Sequence, residues 1–247
     1  MQTVLNALRV LEEVALRQPA GVGELARGLG MPKSSVQRAL RTLHSAGWIR
    51  PADGGVTRWT LTSKALHVGR HATGELSLRD AAVPIMEELR HRTGETIHLM
   101  VPESGGVVLI ERLETPKPLR IVLPLGKTLP LHASANGKAV LAAGAPDTVD
   151  RLLGAGLPGY TDTTITDPAR LRAELALIRE RGYATNTGEW RSDIAAVAAA
   201  VLGRAGVPIA SLSISTPMTR MSDELRPEYG KLVGEAAKSL GRALADL

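Results

Sequence analysis

The sequence predicts a two-domain α/β protein: a small N-terminal three-helix domain with a β-hairpin, a connecting helix, and a larger α+β domain whose helices pack on an antiparallel sheet. Three observations predict it. Two short amphipathic helices separated by a glycine turn occupy Gly21–Ile49, GVGELARGLGMPKSSVQRALRTLHSAGWI. The charge is segregated: residues 1–65 hold nine Lys or Arg against four acids, while 66–247 hold 21 of each sign, so the whole net charge of +5 sits on the small domain. After residue 95, short β-like runs interleave irregularly with helical ones, without the repeated crossovers of a parallel sheet. A chain of 247 residues that is 44% hydrophobic can build a core in each domain.

Thr3–Arg17 has helical periodicity, with Val4, Leu8, Leu11 and Ala15 on one stripe and Leu5 beside it, and is expected to complete the core of the small domain. A short helix carrying Leu25, Ala26 and Leu29 follows. Gly30 breaks it, Met31-Pro32 turns the chain, and a second helix runs from about Pro32 to Ala46. A helix-turn-helix needs a small residue where the helices cross, a residue tolerant of positive φ in the turn, and a β-branched plug on the second helix. Ala26, Gly30 and Val36 fill those roles at the right spacing. Pro32 suits a first helical turn, where its missing N–H has no partner to lose.

The second helix has two faces. At about 100° per residue, Val36, Leu40 and Leu43 fall inward, and Ser34, Gln37, Arg38, Arg41 and Ser45 fall outward with no acid among them. Amphipathic stripes are usually solvated faces. Here the turn signature shifts the reading to DNA, because Arg and Gln make bidentate contacts to guanine and adenine edges, and Ser or Lys holds phosphate. Gly47 ends the helix. Trp48-Ile49-Arg50 and Arg58-Trp59-Thr60-Leu61 read as strands about an Asp53-Gly54-Gly55 loop, which makes the unit a winged helix-turn-helix. The expected DNA contacts are Lys33, Ser34, Ser35, Gln37, Arg38 and Arg41, with Arg50 and Arg58 flanking the wing and Arg58 set on phosphate.

Thr62 or Ser63 can cap a connecting helix to about Ala72, interrupted by Thr73-Gly74. The expected division is therefore 1–62, 63–74 and 75–247. His67 and His71 lie four apart on this helix, but no carboxylate stands at helical spacing to complete a metal site, so both read as surface histidines.

In the larger domain a helix is expected over about Leu78–Arg92, with Ala82, Ile85, Met86 and Leu89 inward. Strand-like runs follow at Thr96–Val101, Gly106–Leu113 and Leu119–Leu123. LHASANGKAVLAA at Leu131–Ala143 reads as a strand end turning into a helix, and Asp147–Leu153 as a short helix. Asp167-Pro168 caps a helix to Arg181 with Leu171, Leu175 and Ile178 in register. Strands near Ala195–Leu202 and Pro208–Ser215 precede a terminal helix from Ser222, whose stripe is Leu225, Tyr229, Leu232, Ala236, Leu240 and Leu244.

Several chemistries are excluded or disfavoured. The chain has no cysteine, so disulfides and thiolate metal sites are out. Gly126-Lys127-Thr128 and Gly137-Lys138-Ala139 resemble the end of a phosphate loop, but its first glycine is replaced by Ile121 and His132. No nucleophile elbow or triad grouping occurs, which weighs against an enzyme with an accessory winged domain. No apolar run approaches the ~18–20 residues of a membrane span, so a soluble, cytoplasmic protein is expected. No cofactor is expected.

The informative strand is Ile209–Ser215, where Ser211, Ser213 and Ser215 share one face. On the pattern alone, a hollow that bonds a ligand oxygen and a plain solvent surface are equally compatible. The order of the winged motif, a linker helix, LHASANGKAVLA, GYATNTGEWRSDIAAVAAAV and PIASLSIS-TP resembles the IclR-type bacterial transcriptional regulators along essentially the whole chain. The resemblance implies a GAF-like effector domain that binds a small metabolite, often an organic acid or aromatic. It also implies a homodimeric or homotetrameric repressor or activator on double-stranded operator DNA. Carried over position by position, it implies a pocket of Ser134, Ala135 and Asn136; Asn186 and the following Gly188–Asp193; Ala196; and Ser213 and Ser215. Trp190 and Arg191 are expected to close one side. The chain departs from relatives at Asn186, where several carry an acid, and at Ala196, where many carry Cys, so no relative's ligand transfers. The expected effector is small and oxygen-rich.

Overall fold

The computed structural model describes residues 2–52, 57–69 and 73–245, with only the backbone over 73–77. The Asp53-Gly54-Gly55 loop and His71 lie outside the described residues. The chain forms two compact units, Met1–Gly74 and Glu75–Leu247.

The first unit comprises α1 (Gln2–Arg17), β1 (Ala20–Gly21), α2 (Val22–Leu29), α3 (Lys33–Ser45), β2 (Ile49–Pro51), β3 (Arg58–Leu61) and α4 (Lys64–Gly69). Both glycine turns have the same construction. Gly30 adopts φ +62°, and the N–H groups of Gly30 and Met31 reach back to the Arg27 and Ala26 carbonyls. Gly47, at φ +76°, closes α3 the same way, with Trp48 N–H on the Leu43 carbonyl. A side chain at either position would be strained in the left-handed region. Ala26 and Val36 meet in the core with Val10, Val14, Leu25, Leu40, Leu43 and Ile49.

Two expectations change here. The inward stripe of α1 is Ala7, Val10, Leu11 and Val14, so Val4, Leu5, Leu8 and Ala15 face outward. The helix carries two adjacent apolar stripes, and only the one that meets α2 and α3 is buried. The hairpin also gains a third strand: β1 pairs with β3, giving the order β1-β3-β2.

The second unit comprises α5 (Thr73–Thr93), β4 (Thr96–Glu103), β5 (Gly106–Leu113), β6 (Thr128–Leu129), α6 (Ala135–Ala143), α7 (Pro146–Ala155), α8 (Pro168–Arg181), β7 (Ala184–Thr187), β8 (Ile194–Leu202), β9 (Pro208–Pro217), a 3-10 turn at Met218–Arg220 and α9 (Leu225–Ala245). Thr73 and Gly74, expected to interrupt the linker helix, stand in the first turn of α5. One antiparallel sheet runs in the order β6-β5-β4-β9-β8-β7. Ala210, Leu212 and Ile214 of β9 point into a core with α5 and α9. Ala196 and Ala198 of β8 point the other way, into a core with α6 and α8. The sheet is thus covered on both faces, which is why β4 buries six consecutive residues instead of alternating.

The run Leu119–Leu123 is not a strand. Its alternation is real, since Ile121 and Leu123 are buried while Leu119 and Val122 are exposed. The outer edge of β5 is already taken, however: Leu109 exchanges backbone hydrogen bonds with Gly126 and Lys127. The short strand β6 was not anticipated, because two mixed residues carry no periodic signal.

Candidate DNA interface and effector cavity

On α3, Lys33, Ser34, Gln37, Arg38 and Arg41 are exposed and Ser35 is half-buried. Among the described residues, the side chains of Lys33, Gln37, Arg38 and Arg41 make no internal hydrogen bond or ion pair. They are left for an external partner on a helix whose opposite face is locked into the core.

Arg58, expected on phosphate, is engaged inside the unit. Its guanidinium meets Glu24 in a two-pronged pair at 2.8 and 3.2 Å, and its Nε donates to the Pro19 carbonyl at 2.9 Å. Glu24 in turn accepts the Gly21 N–H, and that bond first, then Arg58, holds its carboxyl below the usual range. Arg58 therefore ties β3 to the start of α2, and its donors are largely consumed inside the unit. Sequence alone suggested phosphate because nothing in it reveals a carboxylate 34 residues away. Arg50 remains exposed on β2.

In the second unit a cavity of about 20 Å³ lies between α6, the sheet and the loop after β7. Ser134, Ala135, Asn136, Asn186, Trp190, Ala196, Ser213 and Ser215 all line it. Arg191 does not: it is exposed and paired with Asp193 at 2.6 Å, so only Trp190 closes that side. The sequence reading missed His98, Leu123, Leu129 and Ile194, which complete the wall. His98 was hidden in the apolar run of β4. Only the sheet register, which sets it opposite Ser213, brings it to the site.

The lining divides into groups that hold the site and groups that face its space. Ser134 caps α6 by accepting the Gly137 N–H at 3.0 Å and donates to the Pro130 carbonyl at 2.7 Å. Gly137 is required there, since a Cβ would lie 2.4 Å from the Leu131 carbonyl oxygen. Asn186 donates to the Ala133 carbonyl and accepts from the Glu189 N–H, and Asn136 donates to Ser211. By contrast, His98 Nε2 and Ser213 Oγ are buried without any hydrogen-bond partner. Burial, then the Arg112 charge, drives the His98 pKa down to about 3, so its ring is neutral.

The loop carrying Trp190 is anchored by a buried ion pair. Lys138 Nζ lies 2.6 and 2.8 Å from the two Glu189 oxygens, and Thr161 and Thr164 hold the Gly188 and Glu189 carbonyls. Among the described residues no group of three or more His, Asp or Glu could hold a metal, and no helix is long and apolar enough to cross a membrane.

A winged helix-turn-helix with an uncommitted cationic reading face, joined to a domain whose small cavity mixes apolar walls with serine, asparagine and histidine, defines a ligand-responsive DNA-binding regulator. The comparisons agree. An IclR helix-turn-helix domain model matches residues 3–53, and the bacterial transcriptional regulator IclR C-terminal model matches 70–242. The chain is 31% identical over 244 residues to the transcriptional repressor IclR of Escherichia coli, covering 97% of this chain and 89% of that one. It is 32% identical over 241 residues to the regulator KdgR of the same organism, covering 97% and 91%. An IclR homologue from Microbacterium hydrocarbonoxydans complexed with 4-hydroxybenzoate superposes with a TM-score of 0.83 at 26% identity, covering 99% of this chain and 100% of that one. The chain belongs to the IclR family of bacterial transcriptional regulators, DNA-binding repressors and activators with a C-terminal effector-binding domain.

Proposed function

We propose that α3 enters the major groove of an operator, with Gln37, Arg38 and Arg41 on base edges and Lys33, Ser34 and Ser35 on phosphate. The cavity takes a small carboxylic acid bearing a second oxygen. The observation that carries the effector reading is the pair of orphaned atoms, His98 Nε2 and Ser213 Oγ. A buried polar group without a partner is costly, and a ligand oxygen that supplies the partner recovers that cost. The first N–H groups of α6 favour the carboxylate at the other end. The acid in the homologue, 4-hydroxybenzoate, carries the same two kinds of oxygen. A cavity of about 20 Å³ holds about one water, so entry moves Trp190, Leu123 or Leu129 outward.

Ser213→Ala tests this reading. Removing the orphaned hydroxyl is expected to leave the melting temperature without ligand unchanged or higher. The stabilisation that small hydroxy or keto acids give the wild-type protein in a thermal-shift screen is expected to disappear. Equal stabilisation of both proteins by the same acid places the effector elsewhere.

The working form is a cytoplasmic homodimer on half-sites about 10 base pairs apart, or a multiple of that. Val4, Leu5 and Leu8 are 64%, 50% and 48% exposed on one side of α1, an apolar face suited to a second copy of the chain. Leu8→Glu is expected to shift light scattering from dimer to monomer and to weaken operator binding. A Leu8→Glu protein that stays dimeric would remove α1 from the interface.

A further inference from the structure

A second hollow of the effector-binding unit, away from the cavity, is unused by this account. The hollow, about 550 Å³, opens at the sheet edge where β8 outruns its neighbour. β7 begins at Ala184, opposite Ala198, so Ala199–Leu202 of β8, paired with β9 on one side, have no strand beside them on the other. Gly188 N–H bonds the Ile194 carbonyl across β7 and β8. By the two-residue alternation of an antiparallel ladder, the N–H and C=O of Ala200 point into this opening. The walls are alanines from the last turns of α6 with Ile178 of α8 on one side, and alanine and glycine of α9 on the other. The space is built in: an ideal Cβ at Gly234 meets nothing within 4 Å.

Among the described residues the charge lining this apolar hollow has one sign: it comes from Arg179, Lys238 and Arg242, with no acid. Arg179 is held against α6 by its Nε bond to the Ala142 carbonyl at 2.8 Å, while Lys238 and Arg242 make no internal ion pair or side-chain hydrogen bond among the described residues. Three cations around a low-dielectric trough focus a positive potential on it. The volume falls within the ~300–1,000 Å³ of small-molecule pockets, and an apolar floor with a few convergent polar groups is their usual composition.

We propose that this groove is a second small-molecule site, selective for an amphiphilic acyl carboxylate. The chain of the ligand lies on the alanine floor, and its carboxylate meets Arg179, Lys238 and Arg242. The free strand edge is too short to favour a docked β-strand over such a ligand, since it offers little beyond Ala200.

Calorimetric titration of the full chain with octanoate and with octanamide tests the assignment. Octanoate is expected to saturate a single site, and the neutral amide to bind at least about tenfold more weakly, since it forgoes the charge pairing. Gly234→Trp, which fills the open space from outside any packed contact, and Lys238→Glu/Arg242→Glu are each expected to weaken octanoate by about tenfold or more while operator binding stays intact. No saturable heat with the wild-type protein overturns the proposal. So does undiminished octanoate binding by Gly234→Trp, which would place the acid in the inner cavity. A Gly234→Trp protein with altered oligomeric state, together with no octanoate heat in the wild type, would make the groove an interface between copies instead.

Discussion

Lys138→Met is expected to destabilise the effector-binding unit by about 3–5 kcal/mol, because it leaves the Glu189 carboxylate buried without its partner. Lys138 is 1% exposed, and its ammonium faces Glu189 and, at 3.9 Å, Glu174. Burial already pushes the Glu189 pKa up, and Lys138 pulls it back. Without the lysine it rises further above its unfolded value. A carboxyl raised in the folded state contributes stability that is present at low pH and lost as pH climbs through the raised value. The deficit of Lys138→Met is therefore expected to be smallest in mild acid and to grow towards neutrality. Lys138→Met/Glu189→Leu is expected to recover most of it, since replacing both partners removes the buried charge. Urea unfolding of the three proteins across this pH range checks both signs. A flat pH dependence for Lys138→Met would mean that Glu189 finds another cation or reaches water.

Arg38→Ala is expected to weaken specific operator binding by about 1–3 kcal/mol and to relax preference at one base pair, with little effect on non-specific DNA. The contrast is Arg58. Its donors go to Glu24 and Pro19, so Arg58→Ala is expected to lower the melting temperature of the DNA-binding unit and to leave the salt dependence of DNA binding nearly unchanged. Anisotropy titrations on operator and scrambled DNA, each at several salt concentrations, separate the two arginines. An unchanged operator preference in Arg38→Ala would mean that another face reads the bases.

The winged unit was legible because its signals are local. Ala26, Gly30 and Val36 stand within 11 residues of one another, and Gly30 adopts the positive φ its position demanded. The α1 stripe misled because a 3.6-residue period fixes which residues share a face, not which face is covered. The sheet of the second unit was legible in class from its alternating serines and its long apolar runs. The strand expected at Leu119–Leu123 failed because periodicity says nothing about whether a neighbouring edge is free. The cavity was only half legible. The serine face of β9 announced itself, while the turn of α6 and the loop at Asn186 were implied by family resemblance. His98 and the Lys138–Glu189 pair were invisible, since each acquires its role from a residue 51 or more positions away. Asn186, expected to face the ligand, spends both ends of its amide holding the loop to Ala133 and Glu189.

The central claim is that operator affinity resides in α3 and is controlled from the cavity lined by Ser213 and Ser215. The most direct test is the operator affinity of the wild-type chain and of Ser215→Leu, measured by anisotropy with and without an acid that stabilises the wild type. Ser215→Leu is expected to bind the operator as the wild type does in the absence of the acid and to ignore the acid when it is added. A Ser215→Leu protein whose operator affinity still responds to the acid as the wild type does would contradict the account.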